Sequence, residues 1–168
     1  MLLILQVATI FLAAVAMSMA LAHALEFPGK MRLNAETYMA VQTIYYPGFT
    51  LGGIGEPLAA IATFFLLIAM RDRNVAFWWI LAPLIALIAM HAVFWLVTQP
   101  TNKFWLKNQP LSKPEAKFFS VDTPSKAGSD GSVDPNWMHF RDRWEYSHIV
   151  RAVLSGIALI ALAIAVAT

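Results

Sequence analysis

Residues 75–98 read VAFWWILAPLIALIAMHAVFWLVT, a stretch without Asp, Glu, Lys or Arg in which His91 is the single ionisable side chain. A helix needs about 20 predominantly apolar residues to cross the hydrocarbon core of a bilayer. Only α-helices and closed barrels satisfy the backbone inside lipid, and this run is too long for a barrel strand. The stretch therefore predicts a membrane-spanning helix.

Three further segments have the same character. Residues 1–25 and 152–168 contain no Asp, Glu, Lys or Arg, and residues 49–70 contain only Glu56. The chain is 59% hydrophobic and 13% charged, which is typical of a small polytopic membrane protein. The predicted helices cover about residues 3–25, 49–70, 75–98 and 147–167.

The connections between these segments set the arrangement of the helices. Residues 71–74 form a short link, and such links join antiparallel neighbours. Residues 107–135 are rich in Pro, Ser, Lys, Asp and Gly, and we predict that they are mobile. We predict an all-α fold: an integral membrane four-helix bundle with one long polar loop between helices 3 and 4. Residues 1–168 would form a single membrane domain.

Charge and cysteine content exclude several classes of protein. The net charge is only +2, and we assign the basic excess to contact with anionic headgroups of the lipid bilayer rather than to nucleic acid. The chain has no cysteine, so disulfides, iron–sulfur clusters and thiolate metal sites are excluded. A homo-oligomer is compatible with the sequence.

The first apolar segment has a second interpretation. Ala22-His23-Ala24 resembles a signal-peptidase site that follows an apolar run. The start Met-Leu-Leu-Ile-Leu-Gln lacks the basic residues of a signal peptide, and the run is long. We therefore expect a retained helix that keeps His23 in the bundle.

Histidine and glutamate side chains occur toward one side of the predicted bundle, in all four helices. At 1.5 Å per residue their heights agree within roughly 10 Å. Ionisable groups at a membrane edge are costly unless they are paired, solvated or bound. The residues of this predicted layer are His23, Glu26, Glu56, His91, Glu145 and His148.

The fourth helix carries a polar stripe. Trp144, His148, Arg151 and Ser155 follow an i, i+4, i+7, i+11 pattern, so they lie on one face, which should be directed to the bundle interior. Glu145 precedes His148 by three residues, which is the Glu-x-x-His order of diiron carboxylate bundles.

The layer allows two kinds of chemistry. Histidine ligands with few carboxylates favour copper or zinc, and added glutamates favour iron or manganese. Haem ligation by two facing histidines is a less favoured interpretation. Without a metal, a histidine serves as a general base near Arg151 and Asn102, which hold an anionic oxygen. The alternative is that the residues of the layer are interfacial or form a structural network.

Short motifs carry a family resemblance. They are Pro100-x-Asn102 followed by Leu106, then Trp144 with His148 and Arg151 at the opening of the last helix. With these residues the chain resembles the anthrone-oxygenase-like family of small four-helix membrane proteins. The glycine-rich residues 44–58, which carry Glu56 and Pro57, look like a bacterial branch of that family, which implies the bacterial inner membrane.

The resemblance implies oxygen chemistry. Characterised fungal members are similar to oxygenases that convert polyketide anthrones to anthraquinones. Carried over, Asn102, His148 and Arg151 become functional candidates. Glu56 and the His23–Glu26 pair are departures, because they cannot be assigned to the fungal enzymes.

We predict a membrane-embedded oxidoreductase, an oxygenase acting on a lipophilic aromatic or quinol-like small molecule. Copper or iron would be bound by the six histidines and glutamates of the layer. Asn102 and Arg151 would orient the substrate, with Trp95, which shares a face with His91, and Trp144 beside them in the catalytic set. A non-catalytic membrane subunit or scaffold and a haem-binding electron-transfer protein remain open alternatives, so the sequence does not decide that the chain is an enzyme.

Overall fold

The computed structural model describes residues 1–45, 47–72, 74–106, 116–117 and 135–167. Every regular element in these ranges is helical. Four of the helical segments described are long and apolar enough to cross a membrane, so the predicted all-α membrane bundle is confirmed. The segment predicted to be mobile, residues 107–135, lies outside the described residues except for positions 116, 117 and 135.

The spans differ in continuity. The first is one helix and the second is broken at Gly53 and Ile54. The third is continuous but contains a π-helical turn, and the fourth is one helix. The elements are α1 (Leu2–Lys30), α2 (Ala35–Gln42), a 3₁₀ turn (Thr43–Tyr45), α3 (Gly48–Gly52), α4 (Gly55–Ala69), α5 (Asn74–Val93), the π turn (Phe94–Thr98), α6 (Gln99–Leu106) and α7 (Trp137–Ala167).

Three spans extend further toward the long-loop side than the sequence indicates. The third span runs to Leu106 rather than ending at residue 98. Helix α1 runs through Pro28 to Lys30 rather than ending near residue 25. Lys30 is buried and lies 2.9 Å from Glu26 and 3.5 Å from Glu145, and these contacts outweigh the helix-breaking tendency of Pro28. Helix α7 begins at Trp137 rather than near residue 147, because its first turns pack against the third span.

The core of the bundle consists mostly of small and aliphatic residues. Helix α7 packs against α1 and α5, and α1 packs against α4. Ala16, Ala20, Ala59 and Ala158 are buried in one cluster. Such small residues permit the close approach of helices on which packing within a membrane depends. The bundle therefore closes tightly below its long-loop end.

The long-loop end is instead closed by aromatic residues. Tyr38, Tyr45, Trp105 and Trp144 form a separate buried cluster. Helix α2 lies over this end and contributes Tyr38 and Gln42 as its buried residues. The candidate site lies in this region.

Replacing Asn34 with alanine is expected to loosen α2. Asn34 Oδ1 accepts a hydrogen bond from the Thr37 backbone N–H at 2.9 Å, and loss of such an N-cap costs about 1 kcal/mol. Hydrogen–deuterium exchange should become faster across α2 and stay unchanged in α1. Ser18→Ala, which removes only a bond to the Ala14 carbonyl, is the control. Unaltered exchange in α2 would contradict this.

Candidate functional site

A cavity of about 290 Å³ lies at the long-loop end of the bundle. This volume is near the lower end of the ~300–1,000 Å³ range of ligand pockets. Glu26 and Glu145 are not among its lining residues. The other predicted site residues line it: His23, Glu56, His91, Trp95, Asn102, Trp144, His148 and Arg151.

Two histidines from different helices meet in the cavity wall. The ring centroids of His23 and His148 are 4.2 Å apart, and both side chains are buried. His148 Nδ1 is 2.9 Å from the Trp144 carbonyl oxygen. Because a carbonyl only accepts, Nδ1 carries the hydrogen, and Nε2 of the neutral ring is left as the proton acceptor.

Aromatic rings surround His23. The centroids of Tyr45 and Phe49 are each 4.5 Å from the His23 ring, and that of Trp144 is 4.9 Å away. The ring centroids of Trp144 and His148 are also 4.0 Å apart. The imidazole pair is therefore held by ring packing on several sides.

Asn102 connects the third span to this aromatic cluster. Trp144 Nε1 donates to Asn102 Oδ1 at 2.9 Å, and Asn102 Nδ2 donates to Gln99 Oε1 at 3.2 Å. The amide thus fixes the indole that packs on both histidines. In this structure Asn102 orients Trp144, and its role in orienting the substrate stays a prediction.

Deeper in the cavity lies a buried ion pair. Arg151 binds Glu56 directly, with 6% of the arginine and 4% of the glutamate exposed. His91 Nδ1 is 3.7 Å from Glu56 Oε2. Trp95 Nε1 donates to His91 Nε2 at 2.9 Å, so the hydrogen of the neutral His91 ring is on Nδ1, facing the carboxylate. A charged guanidinium is thereby held beside the cavity.

A second charged network lies behind the cavity wall. Lys30 Nζ is 2.9 Å from Glu26 and 3.5 Å from Glu145. It also lies 4.6 Å from the centre of the Tyr45 ring and 4.7 Å from that of Trp144. Lys30 is not among the site residues predicted from the sequence, although its position four residues after Glu26 is a recognised ion-pair spacing.

Two tyrosines complete this network. Tyr38 donates to Glu145 at 2.8 Å, and Tyr45 donates to Glu26. Burial, followed by the neighbouring carboxylate, raises the pKa of both tyrosines well above the usual value. Both phenols therefore stay protonated and act as hydrogen-bond donors to the glutamates.

The six predicted metal ligands do not form one cluster. Within the part of the chain that the structure describes, no three His, Asp or Glu side chains are grouped so that they could hold a metal ion. Glu56 is paired with Arg151, and Glu26 and Glu145 are paired with Lys30. A metal bound by these carboxylates would have to displace a cation. Binding of copper, iron or haem stays a prediction.

The π turn is a feature that the sequence did not indicate. Three residues of this turn line the cavity: Phe94, Trp95 and Thr98. Thr98 Oγ1 and Ser147 Oγ are 2.9 Å apart and hydrogen-bonded, which ties the turn to α7. Single π turns inside α-helices occur frequently at functional sites.

These features define a class of protein. They are those of a helical membrane bundle whose polar residues converge on a small cavity at one end, which makes that cavity a candidate ligand site. The family model for anthrone oxygenase matches residues 43–161, and the chain belongs to this family. The match includes the second and third spans and most of α7. No curated protein and no solved structure matches the chain.

Proposed function

We propose that the protein is a membrane-embedded oxygenase that oxidises a lipophilic aromatic or quinol-like substrate in this cavity. The observation that carries the proposal is the position of the His23–His148 pair beside the Arg151–Glu56 ion pair in one cavity wall. Membership of the anthrone oxygenase family supports the reaction class.

His148 is the proposed general base. Its Nε2 is the proton-accepting atom, because Nδ1 donates to the Trp144 carbonyl. The base removes a proton from a carbon or phenolic oxygen of the substrate, a step worth about 10²–10⁴ in rate. His23, in ring contact with His148, is placed to assist or to take the same role.

Arg151 is the proposed stabiliser of negative charge. Deprotonation of an anthrone-like substrate delocalises negative charge onto its carbonyl oxygen, and a preorganised cation lowers the energy of that state. Glu56 holds the guanidinium in place before substrate arrives. The anion would approach the arginine from the cavity side.

The proposed reaction balances with dioxygen as the oxidant. The base takes one proton from a ring methylene, and the resulting anion gives its electrons to dioxygen as a carbon–oxygen bond forms. The protonated histidine returns its proton to the peroxide. Loss of water then breaks the oxygen–oxygen bond and the second carbon–hydrogen bond. A methylene and one dioxygen thus yield a carbonyl and one water.

The substrate is proposed to enter from the bilayer. Ile54 and Trp95 line the cavity, yet 54% and 46% of these residues are exposed, and both belong to spans. A lipophilic molecule dissolved in the membrane would meet the cavity at this edge. We propose the bacterial inner membrane as the location.

The Lys30 network favours a structural role for part of the predicted site. Lys30, Glu26 and Glu145 connect α1 to α7 without lining the cavity. We therefore propose that these three residues hold the two helices together. The competing function is that of a scaffold protein, in which the whole polar layer has a structural role.

Oxidation of anthrone tests the proposal. The full chain, made without a histidine tag and reconstituted in lipid nanodiscs, should accelerate dioxygen consumption over empty discs, with one anthraquinone formed per dioxygen. Metal content of the same preparation, measured by mass spectrometry, shows which cofactor accompanies the activity. Anthrone oxidation no faster than in empty discs would favour the scaffold function.

A further inference from the structure

Among the residues that the structure describes, several buried nitrogen atoms of the cavity wall have no hydrogen-bond partner, and two of them are donors contributed by α2 and α6. These two donors are Nε2 of Gln42 and Nε1 of Trp105, for which no acceptor exists among residues 1–45, 47–72, 74–106, 116–117 and 135–167. Gln42 is 6% exposed and Trp105 is 8% exposed. Both residues line the cavity.

The two donors lie in adjoining walls. Gln42 is the last residue of α2, one turn after Tyr38, and both are buried residues of that helix. The ring centroids of Tyr38 and Trp105 are 5.2 Å apart. Tyr38 therefore brings the buried face of α2 against the indole, and Gln42 and Trp105 flank the same end of the cavity.

Two buried hydrogen-bond donors without a partner are unusual in a folded protein. The great majority of buried polar atoms in folded proteins have a partner, and a buried donor without one costs free energy. The indole N–H and the amide NH₂ can only donate. An acceptor oxygen on the molecule that occupies the cavity would satisfy such a donor.

We infer that Gln42 and Trp105 form a recognition site for an acceptor oxygen, a carbonyl or phenolic oxygen, of the substrate. This deepens the proposed function and rests on it. Trp105 follows Asn102, the partner of Trp144, by three residues along α6. The recognition site therefore lies outward of the histidines, toward the long loop.

The position has a consequence for substrate selection. The reacting part of the molecule lies beside His148 and Arg151, and the recognised oxygen lies further outward. The protein should therefore prefer an aromatic molecule that carries oxygen over an aromatic hydrocarbon of the same shape. A site built to hydrogen-bond an oxygen discriminates strongly against the analogue that lacks it.

Binding of two matched aromatic probes tests the inference without turnover. Anthraquinone and anthracene share the fused-ring skeleton, and only the first carries acceptor oxygens. Affinities are measured by tryptophan fluorescence quenching in nanodiscs for the wild type, Gln42→Met and Trp105→Phe. Gln42→Met keeps the length of the side chain, Trp105→Phe keeps an aromatic ring, and each removes the donor.

Each substitution is expected to weaken anthraquinone binding about tenfold and to leave anthracene binding unchanged. Trp78→Phe, at an exposed position on α5 away from the cavity, should alter neither. Equal weakening of both probes would overturn the inference, since it would show a packing role. Unchanged binding of both would also overturn it, since water would then satisfy the donors.

The two proposals fail in different measurements. If the wild type does not oxidise anthrone but the variants lose the preference for anthraquinone, the recognition site stands and the oxygenase function does not. If oxidation occurs and the variants keep the preference, the oxygenase function stands and the assignment of Gln42 and Trp105 is wrong.

Discussion

Replacing His148 with alanine is expected to lower kcat for anthrone oxidation by about 10²–10⁴-fold while the protein still inserts and purifies. The reason is that His148 supplies the acceptor Nε2 in the cavity. Its structural hydrogen bond goes only to a carbonyl of its own helix. The measurement is dioxygen consumption by the purified variant in nanodiscs.

His139 provides the matched control. It lies in the first turn of α7, is exposed and does not line the cavity. His139→Ala should therefore retain full activity.

His91→Ala is also expected to abolish turnover, because His91 contacts both Glu56 and Trp95. Full activity in His148→Ala and His91→Ala would refute the proposed site.

The membrane spans could be predicted from the sequence because lipid imposes a simple requirement. A chain in hydrocarbon must satisfy its own backbone, so long apolar runs are read directly as helices. The depth of each polar residue follows from the rise per residue. For that reason the residues facing the cavity, such as His23 and His148, could be placed in one layer.

The partners of those residues could not be predicted. Pairing depends on how each helix is rotated about its axis and on which neighbour it meets, and neither is given by residue depth. Glu145 is three residues from His148, yet it binds Tyr38 and lies beside Lys30. Glu56 likewise binds Arg151. The carboxylates expected to be metal ligands are thus engaged with cations.

The outer wall of the cavity was missed for a different reason. Gln42 and Tyr45 come from the connection between the first two spans, where no long apolar pattern signals their position. Their placement depends on α2 folding back over the bundle through Tyr38. Trp105 lies in a helix that continues past the predicted end of the third span.

Replacing Arg151 with methionine is expected to destabilise the protein by about 3–5 kcal/mol, because Glu56 is then left as an uncompensated charge at a buried position. Glu56→Gln leaves the arginine unpaired and should also be destabilising. The double variant Arg151→Met/Glu56→Met removes both charges and should recover most of the stability, since apolar residues of similar volume often replace a buried ion pair without loss. Thermal unfolding in detergent measures the stability of all three variants.

Activity separates the structural role of the pair from its role in the reaction. If Arg151 stabilises a developing oxyanion, the double variant regains stability but not turnover, because no cation remains beside the cavity. Arg71→Met, which breaks an exposed pair with Asp72 at the short turn, is the control and should change neither property. A double variant that is both stable and fully active would remove Arg151 from the mechanism. One that is no more stable than Arg151→Met would show that packing, rather than charge, is what the pair contributes.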